Sequence, residues 1–244
     1  MPAIGCDCAV CRSSDPRDRR TRPSIVIEAN GTSILVDTSP DLRMQALANN
    51  LRRVDAILFT HNHADHVFGL DDVRRFNQMQ RSAISCYADA DTVSSLRRMF
   101  SYVFDPPTQV GGGLPQLTLF SIGGPFCLGG MEIVPVPVMH GRLPVLGFRV
   151  GSFAYLTDCN HIPDSSWPLL VADGGVRTLI IDALRQRPHS THFSVSEAVD
   201  VVARLGAERA YLTHICHDLP HADTCAQLPR GVELAYDGLV LEIQ

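Results

Sequence analysis

Apolar and polar positions alternate over residues 24–29 and again over 32–38, with Asn30-Gly31 between them, which predicts a β-hairpin. Leu42, Ala46 and Leu47 mark a short helical face, and residues 56–60 form a β-rich run. Val67, Leu70, Val73 and Phe76 recur at helical spacing, so one helix is expected after residue 66. Residues 84–88 read as a strand and 91–104 as a helix. Further strands are expected over 117–122, 131–138, 146–150, 153–157 and 178–183, separated by Gly and Pro. Ser194 and Glu197 form a capping box ahead of Val195, Ala198, Val199, Val202 and Leu205, and Gly206 stops that helix. A strand over 209–213 and a closing hairpin over 232–243, turning at Asp237-Gly238, complete the pattern. Strands fall in two batches with helices interspersed. That is an α/β order, fitting two packed sheets with helices outside or one doubly wound sheet. No linker or repeat interrupts it, so residues 1–244 are expected to form one domain.

Composition narrows the class. A hydrophobic share of 45% excludes a disordered chain. The 21 basic residues are all Arg, against 26 acids, for a net charge of -5, so no basic field recruits nucleic acid. The absence of Lys removes Schiff-base chemistry. Cys6, Asp7 and Cys8, followed by the charged run over 12–22, stand where a secretory signal would need an apolar core. The uncharged stretch 106–131 holds seven Gly and four Pro, which reads as loops and short strands and not as a membrane span. Eight Cys without a signal point to cytoplasmic thiols or metal ligands. Cys86, Cys127 and Cys159, in or beside strands, are expected to be small core residues.

The chemistry concentrates in Thr60-His61-Asn62-His63-Ala64-Asp65-His66, where three imidazoles and a carboxylate follow a strand. Both donor types suit zinc and its neighbours. In a tight turn His61 and His63 can hold one ion, while Asp65 and His66, opening the helix, can hold a second. H-x-H-x-D-H after a strand resembles the signature of the metallo-β-lactamase superfamily, which implies a four-layer αβ/βα sandwich. The resemblance implies three later ligands at strand ends, and His140, Asp158 and His214 stand in that order and context. It implies that His61, His63 and His140 bind one catalytic metal, that Asp65, His66 and His214 bind the other, and that Asp158 bridges them. The two ions would be Zn²⁺ or Mn²⁺. Asp37, at another strand end, resembles the buried Asp that supports the His-rich loop.

Cys6, Cys8 and Cys11 put three thiolates within reach of one tetrahedral ion and leave a fourth position to fill. With His217 they resemble the structural zinc site of the phosphoribosyl cyclic phosphodiesterase branch, with Cys216 a competing ligand. The same resemblance makes His192 the general acid, ahead of His189, and covers nearly the whole chain. The residues 71–75 read as a solvated helix face from which one Arg could reach a phosphate. The implied activity is hydrolysis of a small, cyclic or linear phosphodiester, with Asp65, Asp158 and His192 in catalysis. A thiolesterase, an RNA-processing nuclease or a carrier similar to pyrroloquinoline quinone biosynthesis protein B would use related ligands. The expected partner is a small molecule, with no membrane and no strong nucleic-acid binding, and homodimerisation left open. Relatives carry a first β-strand and a Gly-rich turn before the cysteine cluster. Met1 falls on a Val position of that turn, so the expectation is an internal start at a GTG codon.

Overall fold

Asn30 and Gly31 both take left-handed backbone, φ 52° and 74°, and fold β1 (Ile25–Ala29) antiparallel onto β2 (Thr32–Val36). The computed structural model describes residues 1–105 and 113–243. Residues 106–112, the start of the expected loop, lie outside the described residues. Two compact units emerge, Arg22–Met131 and Met1–Thr21 with Glu132–Gln244.

The first unit continues from the hairpin through α1 (Leu42–Ala48), β3 (Ala56–Leu58), α2 (Ala64–Val67), α3 (Arg74–Gln80) and β4 (Ile84–Ala88). It then runs through α4 (Ala90–Met99), α5 (Ser101–Phe104), β5 (Leu117–Ser121) and the short β6 (Phe126–Leu128). Its sheet has the order β1-β2-β3-β4-β5, with β2 to β5 mutually parallel. Parallel strands are covered on both faces, and β3 is accordingly buried at every residue. Val67, Leu70, Val73 and Phe76 join Ile57, Phe59, Ile84, Leu96 and Phe100 in one core. Each such side chain, fully buried, contributes about 1.5–3 kcal/mol.

Three expectations need correction in this unit. The single helix after residue 66 is broken: α2 ends at Val67, Leu70–Val73 is a 3-10 turn, and α3 starts at Arg74. Gly69 explains the break. A Cβ there would lie 2.0 Å from the Ser39 carbonyl oxygen, and its N–H donates to Thr38. That close approach clamps α2 onto the loop after β2. The helix over 91–104 is divided at Phe100, whose φ of -115° and ψ of 42° turn its ring into the core. Cys127 is exposed on β6 and is not a core residue, whereas Cys86 and Cys159 are buried.

The second unit contains β7 (Met131–His140), β8 (Leu143–Val150), β9 (Phe153–Leu156), α6 (Trp167–Val171), β10 (Thr178–Asp182) and α7 (Val195–Leu205). They are followed by β11 (Arg209–Thr213), α8 (His221–Cys225) and β12 (Val232–Leu234). Within this unit the strands follow the order β12-β11-β10-β9-β8-β7. The strands β9 to β12 are parallel, while β8 is antiparallel to both neighbours, so β7 runs in the direction of β9. The capping box forms as expected, and Gly206 ends α7 in left-handed backbone at φ 67°. This unit has its own core, built from Val136, Leu156, Leu179, Ile181, Ala198 and Leu212 among others.

The expected closing hairpin does not form. β12 pairs parallel with β11, and the carboxylate of Asp237 is taken by the Thr21 N–H and hydroxyl. A tight turn closes from Leu239 N–H to the Tyr236 carbonyl, with no strand after it among the described residues.

Candidate metal centre

Strand direction sorts the candidate residues. Asp37 follows β2 and Thr60-His61 follow β3, at the carboxyl ends of neighbouring parallel strands. In the second unit His140 ends β7, Asp158 follows β9, Asp182 ends β10 and His214 follows β11. The register pairs Asp182 with Thr213 and Ile181 with Leu156, so these donors come off adjacent strands at nearly one level. The carboxyl edge is where open α/β sheets place their ligands.

Three of these positions, Asp37, Asp158 and His214, have φ of 62°, 52° and 56°. Left-handed backbone is uncommon outside Gly and concentrates at functional sites. Asp and His tolerate it better than branched residues.

In the first unit the rings of His61 and His63 lie 4.5 Å apart between centroids, and those of His61 and His66 lie 4.3 Å apart. Asp65 Oδ2 is 3.6 Å from His66 Nε2. Asp37 organises the group. Its Oδ1 accepts the Thr60 N–H at 2.8 Å, and its Oδ2 accepts both the Thr60 hydroxyl and His66 Nδ1 at 2.8 Å. The Thr60 hydroxyl, committed as a donor to Asp37, accepts His61 Nδ1–H at 2.9 Å. Both tautomers are thereby set with the lone pair on Nε2, the pattern by which a carboxylate orients a metal-binding His. Burial pushes the Asp37 carboxyl above its ordinary value, and the His66 bond opposes that push.

The second unit repeats the device. His140 Nδ1 donates to the Thr191 carbonyl at 2.8 Å, again leaving the lone pair on Nε2. Asp158 Oδ2 accepts the Thr157 hydroxyl at 2.8 Å, while its Oδ1 lies 3.3 Å from His214 Nε2. Ligand atoms of His140, Asp158 and His192 lie within 4.8 Å of one another, as do those of Asp182, His192 and His214. His192 therefore stands against the donor atoms of His140, Asp158 and His214. Its ring stacks on His214 at 4.6 Å and 13°, and meets His140 edge-on at 4.6 Å. His189 is more exposed, with its ring 5.2 Å from His192, and burial lowers its pKa.

Asp182 escapes sequence reasoning. It is wholly buried, and its Oδ2 accepts the Cys159 N–H at 2.8 Å and His192 Nδ1 at 2.6 Å. Burial raises its pKa, opposed by the His192 hydrogen bond. A signal existed: an apolar strand, residues 178–181, ends in Asp as do the strands before Asp37 and Asp158.

A second cluster lies wholly in the second unit. Sγ of Cys6, Cys8 and Cys11 stand 3.2, 3.4 and 3.5 Å from His217 Nδ1, and all four donor atoms lie within 4.8 Å of one another. Bond lengths of a tetrahedral S₃N zinc site require S···N separations of about 3.5 Å, so the donor set fits. The Cys11 N–H on its sulfur is the first cause that lowers the Cys8 thiol to about 6. Cys11 is pulled down by the Ala3 N–H, but desolvation and the neighbouring thiols outweigh that and raise it. Cys216 is not part of the cluster.

A family model described as a beta-lactamase superfamily domain matches residues 32–215. The chain resembles a crystal structure of a new diphosphatase from the PhnP family, with 44% identity and a TM-score of 0.91 over 100% of this chain and 93% of that one. An octanoyltransferase of Porphyromonas gingivalis is 38% identical over 98% of this chain and 48% of its own length. A ribonuclease Z of Bradyrhizobium sp. is 29% identical over 70% of this chain and 56% of its own length. The chain thus spans about half the length of these curated relatives.

Proposed function

The chain belongs to the beta-lactamase superfamily of metal-dependent hydrolases, with its α/β sandwich fold, and we propose that it is a binuclear phosphodiesterase acting on a small cyclic or linear phosphodiester or diphosphate. His61, His63 and His140 would hold one divalent ion, Asp65, His66 and His214 the other, and Asp158 would serve both. Zn²⁺ or Mn²⁺ matches this mixture of imidazole and carboxylate. The observation that carries the reading is the Asp182–His192 pair beside the donor atoms of His140, Asp158 and His214. A ligand shell alone suits many hydrolases; a carboxylate-oriented imidazole beside it suits one that must protonate a poor leaving group.

When bound, the two ions supply Lewis acidity toward phosphoryl oxygens and lower the pKa of the attacking water. The protein supplies the rest. Asp37, Thr60 and the Thr191 carbonyl hold the imidazoles with Nε2 presented. Asp182 holds Nδ1–H of His192, so Nε2–H of the imidazolium is the proton aimed at substrate. As the phosphorus–oxygen bond breaks, that proton passes to the leaving alkoxide, and neutral His192 keeps its Nδ1–H on Asp182. Cys6, Cys8, Cys11 and His217 would hold a third, structural zinc. Among the described residues no helix is long and apolar enough to cross a membrane, and the proposed setting is the cytoplasm.

The test is metal analysis joined to a substrate panel of a cyclic ribose phosphate, a linear phosphodiester and a glutathione thioester. Two catalytic metals and turnover of a phosphodiester are expected, with Asp158→Asn losing both. Efficient thioester turnover with no phosphodiester activity would overturn the proposal.

A further inference from the structure

Two exposed aromatic rings stand beside the metal loop. Phe68 directly follows α2, three residues after the half-buried Asp65, so the two share one face of a helical turn with Cβ atoms about 5–6 Å apart. Phe68 is 54% exposed, and its ring meets Phe100 edge-on at 6.1 Å and 87°. Phe100 is buried in the core and anchors the arrangement. Tyr102 is 47% exposed, with its ring 6.5 Å from that of Phe100. Tyr102 is held in place: its hydroxyl donates to Asp71 Oδ1 at 2.9 Å, and Asp71 Oδ2 pairs with Arg74 at 2.8 Å. Desolvation, then the Asp71 bond, raises the phenol to about 12, so it remains a donor throughout the working range.

Single exposed apolar side chains are ordinary. Two rings set around one buried ring, one of them sharing a helical turn with a candidate ligand, are a different matter. Rigid π-faces recognise flat aromatic groups and discriminate little among them. Asp65 lies on the face where a substrate phosphate would be handled, and a group stacked on Phe68 would be about one sugar away. We propose that Phe68 and Tyr102 form a ledge that receives the aromatic base of the substrate, which makes a nucleoside-bearing diphosphate or phosphodiester the preferred class. This inference rests on the phosphodiesterase reading above. Arg74, neutralised by Asp71, leaves the ledge without the net charge that would favour a purely anionic partner.

The experiment has two arms. In the first, kcat/KM is measured for a dinucleoside diphosphate and for cyclic ribose phosphate, and their ratio is compared between wild type, Phe68→Leu and Phe68→Trp. The ratio should fall about tenfold in Phe68→Leu, through KM, and be retained in Phe68→Trp, in keeping with base–aromatic stacking. An unchanged ratio in Phe68→Leu would overturn the ledge. In the second arm, indole fluorescence of Phe68→Trp is titrated with adenosine monophosphate and with ribose 5-phosphate, using wild type, whose one Trp is Trp167, as the blank. Quenching by the nucleotide alone is expected; equal response or none would overturn it. Wild type inactive on every phosphate would instead defeat the parent reading, and the titration would still decide the ledge. Should Phe68→Leu shift the mass by light scattering while leaving the ratio intact, the patch serves a second copy and the proposal fails.

Discussion

Asp182 and His192 share a 2.6 Å hydrogen bond at the end of a buried strand, and Asp182 Oδ2 also takes the Cys159 N–H, so the imidazole is tied to the backbone of the next strand. This makes Asp182 a positioning residue for the proposed proton donor. Asp182→Asn should reduce kcat at least tenfold on a substrate with an alkoxide leaving group and much less on a nitrophenyl ester, since nitrophenolate needs little protonation. Steady-state kinetics on the pair of substrates decide it. Equal losses on both would assign Asp182 to architecture alone.

The cysteine cluster predicts a metal that can be lost without touching the catalytic donors. A Cys6→Ser, Cys8→Ser, Cys11→Ser triple variant should bind one zinc fewer per chain and melt several degrees lower. Elemental analysis and calorimetry measure the two effects. An unchanged zinc count with an unchanged Tm would remove the structural role.

His221 offers a pH signature away from the metal donors. It is buried, its Nδ1 faces Arg20 at 3.3 Å, and its N–H donates to Asp18 at 2.8 Å. Desolvation, then the charges of Arg17 and Arg20, lower its pKa below the ordinary 6.5. Between the lowered value and 6.5 the unfolded chain binds the extra proton, so stability is fully present above the unfolded pKa and is lost as pH falls through that window. Urea midpoints of wild type should decline on acidification below about 6.5 more steeply than those of His221→Asn. Parallel curves would refute the assignment.

At the start of α7, Ser194 Oγ accepts the Glu197 N–H at 3.4 Å while Glu197 Oε2 accepts the Ser194 N–H at 2.8 Å. Ser194→Ala should cost about 1 kcal/mol. Because His192 lies two residues upstream, activity should fall little if the cap is only structural. Chemical denaturation and kinetics on the same sample separate the two.

Much of this architecture is readable from local pattern. The Asn-Gly hairpin, the capping box, and the strands at 84–88 and 209–213 are determined by neighbouring residues, so a linear reading finds them. The elements that escape are decided elsewhere in the chain. Gly69 breaks a helix because it abuts Ser39, Phe100 breaks another because its ring enters the core, and Asp237 turns toward Thr21 instead of closing a hairpin. The helices α6 and α8 have five residues each, too few for a period to show. The His-rich loop was conspicuous because its donors are contiguous. Asp182 was not, since a strand-end Asp acquires meaning only from the imidazole that folding brings to it.

The backbone at Asp37, Asp158 and His214 imposes a second selection on positions already narrowed by chemistry. With φ between 52° and 62° at all three, a replacement must suit the left-handed basin as well as the task. Asn and Gly enter that basin readily and β-branched residues do not. An alanine scan here would therefore mix two losses, the missing donor and a reluctant backbone. Asp→Asn isolates the first, since the amide keeps shape and backbone preference while giving up the charge. The same double filter leaves these three positions a very short alphabet of tolerable replacements, shorter than donor chemistry by itself would demand.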